Sequence, residues 1–323
     1  MKRVAVLTSG GDAPGMNAAI RAVVRSGVVR SCEMFGVRNG YEGLIAGEFL
    51  PLGPRDVGGI IHQGGTMLGT SRCPQFKTNE GQCAALEQMR RRDINALIVI
   101  GGNGSQTGAY ALAQRGMTVI GVASTIDNDL LGTDVSIGCT TALDTAMEAV
   151  DRLRVTAASH RRAFLVEVMG RHSGYLAAVV AIAGGAEAIV VPELDTQPEG
   201  IARQLQASHQ RGKSHAIVVV AEGARYGVDA LSRYFQEHQG ELGIDLRITR
   251  LGHVQRGGAP GVYDRMLATR LGAAAIEGLL AGHSGVLVGL RRGAIAMTSL
   301  GEVAARTAAL DLQLLHLAQE LAT

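Results

Sequence analysis

The sequence predicts a doubly wound α/β fold, and three observations carry that expectation. Short β-branched runs alternate with helix-length segments along the chain. The runs are unbroken rather than alternating in polarity, which marks strands buried on both faces of a parallel sheet. At 323 residues the chain is long enough for two domains or one large α/β unit. In order, the predicted strands are Val4–Thr8, Ala96–Ile100, Val119–Val122, Phe164–Val168, Ala188–Val191, Ala216–Val220 and Arg247–Leu251. The helical segments between them include Met16–Arg30, Glu80–Arg91, Gly104–Arg115, Thr141–Ala157 and Ile201–Gln210. The tail, Gly301–Leu321, reads as one long amphipathic helix that packs rather than acts. In such sheets ligands bind beyond the carboxyl ends of the strands, so the loops that follow them are where chemistry is sought.

Composition excludes several classes. Net charge is +2, from 31 basic and 29 acidic residues, which leaves no basic footprint for nucleic acid. Aromatics are 3% with no Trp, too few for a base-stacking platform. Cys32, Cys73, Cys83 and Cys139 are scattered without CxxC spacing, the pattern of reduced thiols in a cytoplasmic protein. The most apolar stretch, Leu176–Val191, is broken by Gly184-Gly185 and carries Glu187, so no membrane span is expected. Glycine is abundant at 44 residues, about twice the usual ~7%. Among the basic residues only Lys2, Lys77 and Lys213 are lysine, leaving arginine dominant. Arginine suits bidentate phosphate recognition, but a count alone favours the plainer reading, a genome whose composition prefers arginine codons.

Position is more informative. Thr8-Ser9-Gly10-Gly11-Asp12-Ala13-Pro14-Gly15-Met16-Asn17 joins the first strand to the first helix. Gly10 and Gly15 have P-loop spacing, yet Met16-Asn17 replaces Lys-Ser/Thr, and no G-x-G-x-x-G is present. What remains is a glycine turn at a helix N-terminus, a ready anion site. Gly101-Gly102-Asn103-Gly104-Ser105 repeats the arrangement, with Ser105 placed to cap the next helix or touch phosphate. Thr125-Ile126-Asp127-Asn128-Asp129 offers two carboxylates in one loop, able to act as a base and toward a metal. Arg161-Arg162 precede one strand and Met169-Gly170-Arg171 follow it, while Glu222 and His253-Val254-Gln255-Arg256 lie after others. Together these groups suggest phosphoryl transfer to a hydroxyl-bearing, phosphorylated substrate.

With GGDAPGMNAAIRAVVR, TIDND, EVMGR, AIAGGAE, GKSHAIV and LGHVQRGG in this order, the chain resembles the bacterial 6-phosphofructokinases over essentially its whole length. The resemblance implies two doubly wound, Rossmann-like domains with mainly parallel sheets and an active site between them, assembled as a homotetramer. It implies a nucleotide domain of residues 1–138 with 255–305, and a sugar-phosphate domain of 139–254 with 306–323. The implied reaction is transfer of phosphate from ATP, with Mg2+, to the 1-hydroxyl of fructose 6-phosphate. Asp127 then corresponds to the base, Thr125 to its neighbour in the site, and Arg72 and Arg171 to the charges on the transferring group. Gly11, Tyr41, Arg72, Cys73, Gly102, Gly104 and Ser105 correspond to the ATP site. Thr125, Asp127, Met169, Gly170, Arg171, Glu222, His253 and Arg256 correspond to the sugar-phosphate site, with Arg162 and Arg247 reaching a neighbouring subunit's substrate. Arg21, Arg25, Arg154, Gly185, Glu187, Arg211, Lys213 and His215 correspond to an effector site for ADP or phosphoenolpyruvate.

Four positions depart from the family pattern. Asn103 stands where a magnesium-binding aspartate is common, which leaves Asn103 and Asp129 as the expected metal ligands. Ser124 stands where ATP users have glycine and pyrophosphate users lysine. Gly104, however, leaves room for an α-phosphate that an aspartate would exclude, which favours ATP as donor over the pyrophosphate alternative. Pro54 and Gly59 replace an arginine and an acidic residue of the effector site, so effector binding is expected with altered affinity or selectivity. An alternative of another class, a weakly active sugar-phosphate sensor, is motivated by Asn103 and opposed by Asp127, Arg171 and Arg72.

Overall fold

All seven predicted runs are strands in the computed structural model, which describes residues 2–322, although the one at Arg247–Leu251 is a partly exposed edge strand and not one buried on both faces. In chain order the first part holds β1 (Arg3–Ser9), α1 (Met16–Val29), β2 (Glu33–Val37), α2 (Gly40–Ala46) and β3 (Phe49–Pro51). It continues with α3 (Asn79–Arg90), β4 (Ala96–Gly101), α4 (Asn103–Gln114), β5 (Thr118–Ala123) and the long α5 (Cys139–His160). Next come β6 (Ala163–Val168), α6 (Tyr175–Ala183), β7 (Ala188–Val190), α7 (Pro198–Gln210) and β8 (Ala216–Ala221). Then follow α8 (Val228–Glu237), α9 (Gln239–Leu242), β9 (Leu246–Arg250), α10 (Val262–Leu280), β10 (Val286–Arg291), β11 (Ala294–Ser299), α11 (Leu300–Ala305) and α12 (Leu312–Leu321).

The chain divides into two units. Unit one comprises the residues up to Thr141 together with Arg256–Ala308, and unit two comprises Ala142–Gln255 with the residues from Ala309 onward. The expected domain ends at 1 and 323 lie outside the described residues.

Unit one is built on a seven-stranded sheet in the order β11-β10-β5-β4-β1-β2-β3. Its five inner strands are parallel, and antiparallel β11 and β3 close the edges. Every residue of β4 is buried, as its all-apolar sequence requires. The chain leaves β1 toward β2 on one side, while β4 lies on the other, so the winding reverses between β1 and β4. Ser9 and Gly101 are in register at the carboxyl ends of those two strands. Helix α10 packs on α1, where Gly272 admits the backbone of Ala19: a Cβ there would lie 2.8 Å from the Ala19 carbonyl oxygen.

Unit two has a four-stranded parallel sheet, β7-β8-β6-β9. Its core joins Leu165, Val190, Val218 and Val220 from the strands to Ile201, Leu205, Leu231 and Phe235 from α7 and α8. Here the winding reverses between β6 and β8, whose ends pair Val168 with Ala221.

The tail departs from expectation. Instead of one helix over Gly301–Leu321, the helix stops at Ala305 and α12 begins at Leu312. Arg306 is extended (φ −156°, ψ 149°), and the Ala308 N–H donates to the Asp129 carbonyl at 2.8 Å. The Asp311 carboxylate then starts α12 by accepting from Gln313 N at 2.9 Å, an N-cap that a continuous helix could not use. No helix of the described residues is long and apolar enough to cross a membrane.

Candidate active site

The reversal point of unit one opens into a cavity of about 860 Å³. Its walls come from the loops after β1 and β4, the segment around Arg72, and the 125–129 loop after β5. The β1 loop turns on Gly10 (φ +85°) and Gly15 (φ +108°), conformations that favour glycine. Over Gly11 lies the Arg256 guanidinium, so close that a Cβ would sit 2.5 Å from its Nη1. That nitrogen donates to the Asp12 carbonyl at 2.9 Å. Arg256, grouped by resemblance with the sugar-phosphate residues, therefore lines this cavity.

Long-range tethers shape the opposite wall. Thr8 Oγ1 donates to the Gly69 carbonyl at 2.9 Å and Thr70 Oγ1 to the Gly10 carbonyl at 2.7 Å. Asn17 Nδ2 donates to the carbonyls of Gln63 and Gly64, while its Oδ1 accepts from Met67 N at 2.7 Å. These bonds hold residues 63–70 across the strand ends and bring Arg72 and Cys73 to the cavity. Tyr41 is buried and stacks on Phe76, with centroids 3.9 Å apart, and its hydroxyl donates to the Ser105 carbonyl at 2.6 Å. Burial pushes that phenol above its ordinary range, so it stays neutral.

The start of α4 differs from the sequence reading. The Ser105 side chain does not cap its helix: its hydroxyl donates to the Ser9 carbonyl at 2.8 Å, tying the two glycine loops together. Gln106 does similar work below, its Nε2 reaching the carbonyls of Val99, Gly101 and Val122. Gly104 is exposed and a Cβ there would meet nothing within 4 Å. Gly102 faces Thr125, with a Cβ-to-Cβ separation of 3.2 Å for any larger residue.

Thr125, Asp127 and Asp129 line the same cavity as Asn103 and Ser124. Asp127 N donates to Thr125 Oγ1 at 3.2 Å, an ST-turn that fixes the loop. Asn128 adopts the left-handed conformation (φ +49°), and its Oδ1 accepts from Ser136 N at 2.9 Å. Ser124 is fully buried with its hydroxyl donating to the Ile137 carbonyl at 3.3 Å. Behind the loop, buried Asp264 accepts from Gly138 N, Thr141 N and Thr141 Oγ1 at 2.8, 2.7 and 2.6 Å, which anchors the start of α5. The neighbouring Cys139 thiol is pushed far up, first by burial and then by the charges of Asp264 and Asp127.

The donors around Asn103 suit a hard cation. Asn103 Oδ1 is buried with no hydrogen-bond partner, and its Nδ2 donates to the Asp129 carbonyl at 3.3 Å. Among the described residues no group of three or more His, Cys, Asp or Glu converges into a metal cage. A few oxygens beside a glycine turn fit Mg2+, which is usually held by one or two protein oxygens plus substrate phosphates.

In unit two, Met169, Gly170, Arg171 and Glu222 meet at the reversal point. Met169 N donates to Gln255 Oε1 at 2.7 Å, and Glu222 N to the Val168 carbonyl at 2.9 Å. Gly170 is at φ +126° and Gly223 crowds the Arg171 carbonyl, so neither position admits a side chain. Arg171 and His253 are exposed. Arg162 and Arg247 are joined by Asp245, which sequence reasoning missed: its two oxygens take Arg162 Nε and Arg247 Nη1, each at 2.6 Å.

The effector set falls in both units. In unit one Arg25 lines a cavity of about 550 Å³ with Pro54, Arg55 and Gly58, and Arg21 lies one turn away on α1. In unit two Glu187 is buried, accepts from Ile217 N at 2.7 Å, and pairs with Lys213 at 3.5 Å. Arg154 donates to the carbonyls of Gly184 and Gly185, and Arg211 donates to Ser208 Oγ at 3.2 Å. Lys213 and His215 line a small cavity, about 50 Å³, that also takes in Arg162.

The sequence profile described as Phosphofructokinase matches residues 3–279. The protein named ATP-dependent 6-phosphofructokinase 1 of Thermus thermophilus is 52% identical over 324 residues, covering all of both chains. Among solved structures, a T-state phosphofructokinase of Pichia pastoris superposes with a TM-score of 0.88 at 39% identity. That match covers 94% of this chain but 35% of the yeast chain, so this chain spans about a third of it. A pyrophosphate-dependent phosphofructokinase of Marinobacter aquaeolei shares the fold at 24% identity, with a TM-score of 0.87 over 97% of this chain and 86% of its own. With a cavity walled by paired glycine loops and two aspartates, and a relative matching at half its positions from end to end, the chain belongs to the phosphofructokinase family.

Proposed function

We propose that the chain transfers the γ-phosphoryl group of ATP to the 1-hydroxyl of fructose 6-phosphate, giving fructose 1,6-bisphosphate and ADP. The observation that carries this reading is the shared cavity: Asp127 and Asp129 line the same walls as Gly11, Gly102, Gly104 and Arg72. A base and an anion cradle in one site are what in-line phosphoryl transfer needs, because such catalysis is mainly positioning and charge stabilisation.

Asp127 accepts the proton of the sugar 1-hydroxyl as that oxygen bonds to the γ-phosphorus and the bond to ADP breaks. Arg72 and Arg171 offset the charge that gathers on the transferring group, a contribution worth several kcal/mol in such sites. Thr125 Oγ1 fixes the backbone of Asp127. Asn103 Oδ1 and Asp129 would hold Mg2+, which supplies charge neutralisation at the phosphates when bound. The exposed, uncrowded Gly104 leaves space for the inner phosphates of a nucleotide, and the bacterial relative named ATP-dependent supports the same donor.

The sugar phosphate is taken by Met169, Gly170, Glu222, His253 and Arg256, with Arg162 and Arg247 serving a neighbouring subunit's substrate in a homotetramer. The cations at Arg21, Arg25, Arg154, Arg211, Lys213 and His215, with Gly185 and Glu187, bind an anionic effector such as ADP or phosphoenolpyruvate. The setting is the cytoplasm. A coupled assay with each donor tests the central reading. Turnover with ATP is expected, and turnover with pyrophosphate but not ATP would overturn it.

A further inference from the structure

We propose that Asn103-Gly104 is a deamidation site inside the unit-one cavity, at which the chain exchanges a neutral amide for a carboxylate beside Asp129. The reaction needs only water. The Gly104 amide nitrogen, after losing its proton, attacks the side-chain carbonyl carbon of Asn103. A C–N bond forms, ammonia leaves and a cyclic imide results. Water then opens the ring at either carbonyl, giving aspartate or isoaspartate with no change of oxidation state. Glycine is the most permissive residue to follow the asparagine, since it has no side chain to shield the nitrogen and the widest backbone freedom.

Four features of this chain favour the site. Gly104 is exposed, and a Cβ there would meet nothing within 4 Å, so no neighbouring segment crowds the residue that supplies the nitrogen. Asn103 and Gly104 are the first two residues of α4, whose leading N–H groups have no acceptor within the helix. The positive end of the helix dipole favours both the deprotonated nitrogen and the product carboxylate. The Asn103 amide is loosely held: Oδ1 has no partner and Nδ2 makes one contact of 3.3 Å. One tie opposes the reaction: Thr107 Oγ1 donates to the Asn103 carbonyl at 3.0 Å, a bond within the first turn of α4, so ring closure requires that turn to open.

The chain carries its own comparator. Asn39-Gly40 is the second Asn-Gly pair in the sequence. There the Asn39 amide donates to Glu48 Oε2 at 3.2 Å, its N–H donates to the Leu68 carbonyl at 2.8 Å, and its carbonyl accepts from Ser71 Oγ at 2.9 Å. With main chain and side chain both tied to other segments, Asn39 is the slower of the two. At Asn103 the aspartate product adds a carboxylate to a wall that already holds Asp127 and Asp129. The isoaspartate product lengthens the backbone and breaks the first turn of α4.

The chemistry at Asn103 is independent of the donor reading, and only its effect on metal demand rests on that reading. The test is peptide mass mapping of the full-length protein incubated at mildly alkaline pH, with cleavage by an aspartate-specific protease to separate the two products. The peptide containing Asn103 is expected to take up the amide-to-acid mass difference several-fold faster than the peptide containing Asn39. Asn103→Gln, which cyclises poorly, should stay unmodified at that position. Conversion of Asn39 with Asn103 intact, or equal slow rates at both, overturns the proposal. The half-saturating Mg2+ of the aged protein should fall toward that of Asn103→Asp. An unchanged Mg2+ response with Asn103 converted supports the modification and counts against Asn103 as a metal ligand.

Discussion

The Ser136 hydroxyl donates to the main-chain carbonyl of Thr125 at 2.5 Å, closing the loop that carries Asp127. The same serine is clasped from the other side by Asn128 Oδ1, which accepts from its N–H at 2.9 Å and lies 3.2 Å from its hydroxyl oxygen. Ser136 is fully buried, so no water replaces it when it is removed. Ser136→Ala should therefore loosen the loop without touching substrate. We expect kcat to fall about 10-fold and stability by about 1 kcal/mol, the worth of one buried hydrogen bond. The KM for the sugar should stay near wild type. Steady-state kinetics beside thermal unfolding read both effects, and equal losses in kcat and sugar affinity would place Ser136 in substrate binding instead.

Asp127 tests the proton transfer directly. Asp127→Ser should lower kcat by roughly 10²–10⁴-fold, the usual contribution of a positioned general base. Sugar affinity, measured by titration without donor, should change little, because the group acts in the transition state. A matching loss of affinity would mean that the carboxylate holds the ground-state sugar.

The central strands were legible because their sequences are unbroken apolar runs, and a strand buried on both faces has no other pattern. β2 and β10 carry internal glycines, Gly36 and Gly289, but so does the predicted β5 with Gly121, so glycine alone does not account for their absence from the sequence reading. The β10–β11 hairpin turns on Arg292-Gly293, both at positive φ (52° and 77°), where Asn-Gly is the usual signal. In the site, the glycine pairs after β1 and β4 were legible as tight turns at strand ends: Gly10 needs its positive φ, while Gly11 and Gly102 make room for Arg256 and Thr125. The tethers between segments were not legible. Thr70 reaches Gly10, Ser105 reaches Ser9 and Asp245 gathers Arg162 with Arg247, all through side chains whose partners the sequence does not name. No local spacing encodes such bonds.

Glu167 gives a pH signature in unit two, on the strand that leads to Met169. Burial raises its carboxyl above the ordinary range, with Arg250 pulling the other way and Asp229 and Glu222 adding to the rise. A raised acid holds its proton more tightly in the folded chain. Its stabilising contribution is thus present below the ordinary carboxylate range and is lost as pH rises through the raised value. Glu167→Gln should show its most favourable Tm relative to wild type at neutral pH and lose that advantage at acid pH. The side chain is partly open to solvent, at 22% exposure, so the effect is modest. Calorimetry across the pH range checks this, and a gap that does not vary with pH would show that burial is not what sets the titration of Glu167.

Gly104 separates room for a nucleotide from stability of the fold. It is exposed in the first turn of α4 with nothing within 4 Å of where a Cβ would lie, so the protein itself has no packing reason for glycine there. Aspartate at this position suits the helix dipole and has better helical propensity, so Gly104→Asp should fold with a stability gain of up to about 0.5–1 kcal/mol. The same carboxylate would stand in the cavity that the proposed function gives to the nucleotide's inner phosphates, adding volume and like charge. We expect kcat/KM with ATP to fall on the order of 100-fold, about 2.7 kcal/mol, while Tm holds or rises. Most of that loss should appear in KM for ATP, since the clash is with bound donor and not with the transferring phosphoryl group. A variant that keeps wild-type ATP kinetics would mean that the donor takes a path away from Gly104, and the glycine would then be left without a ligand to explain it.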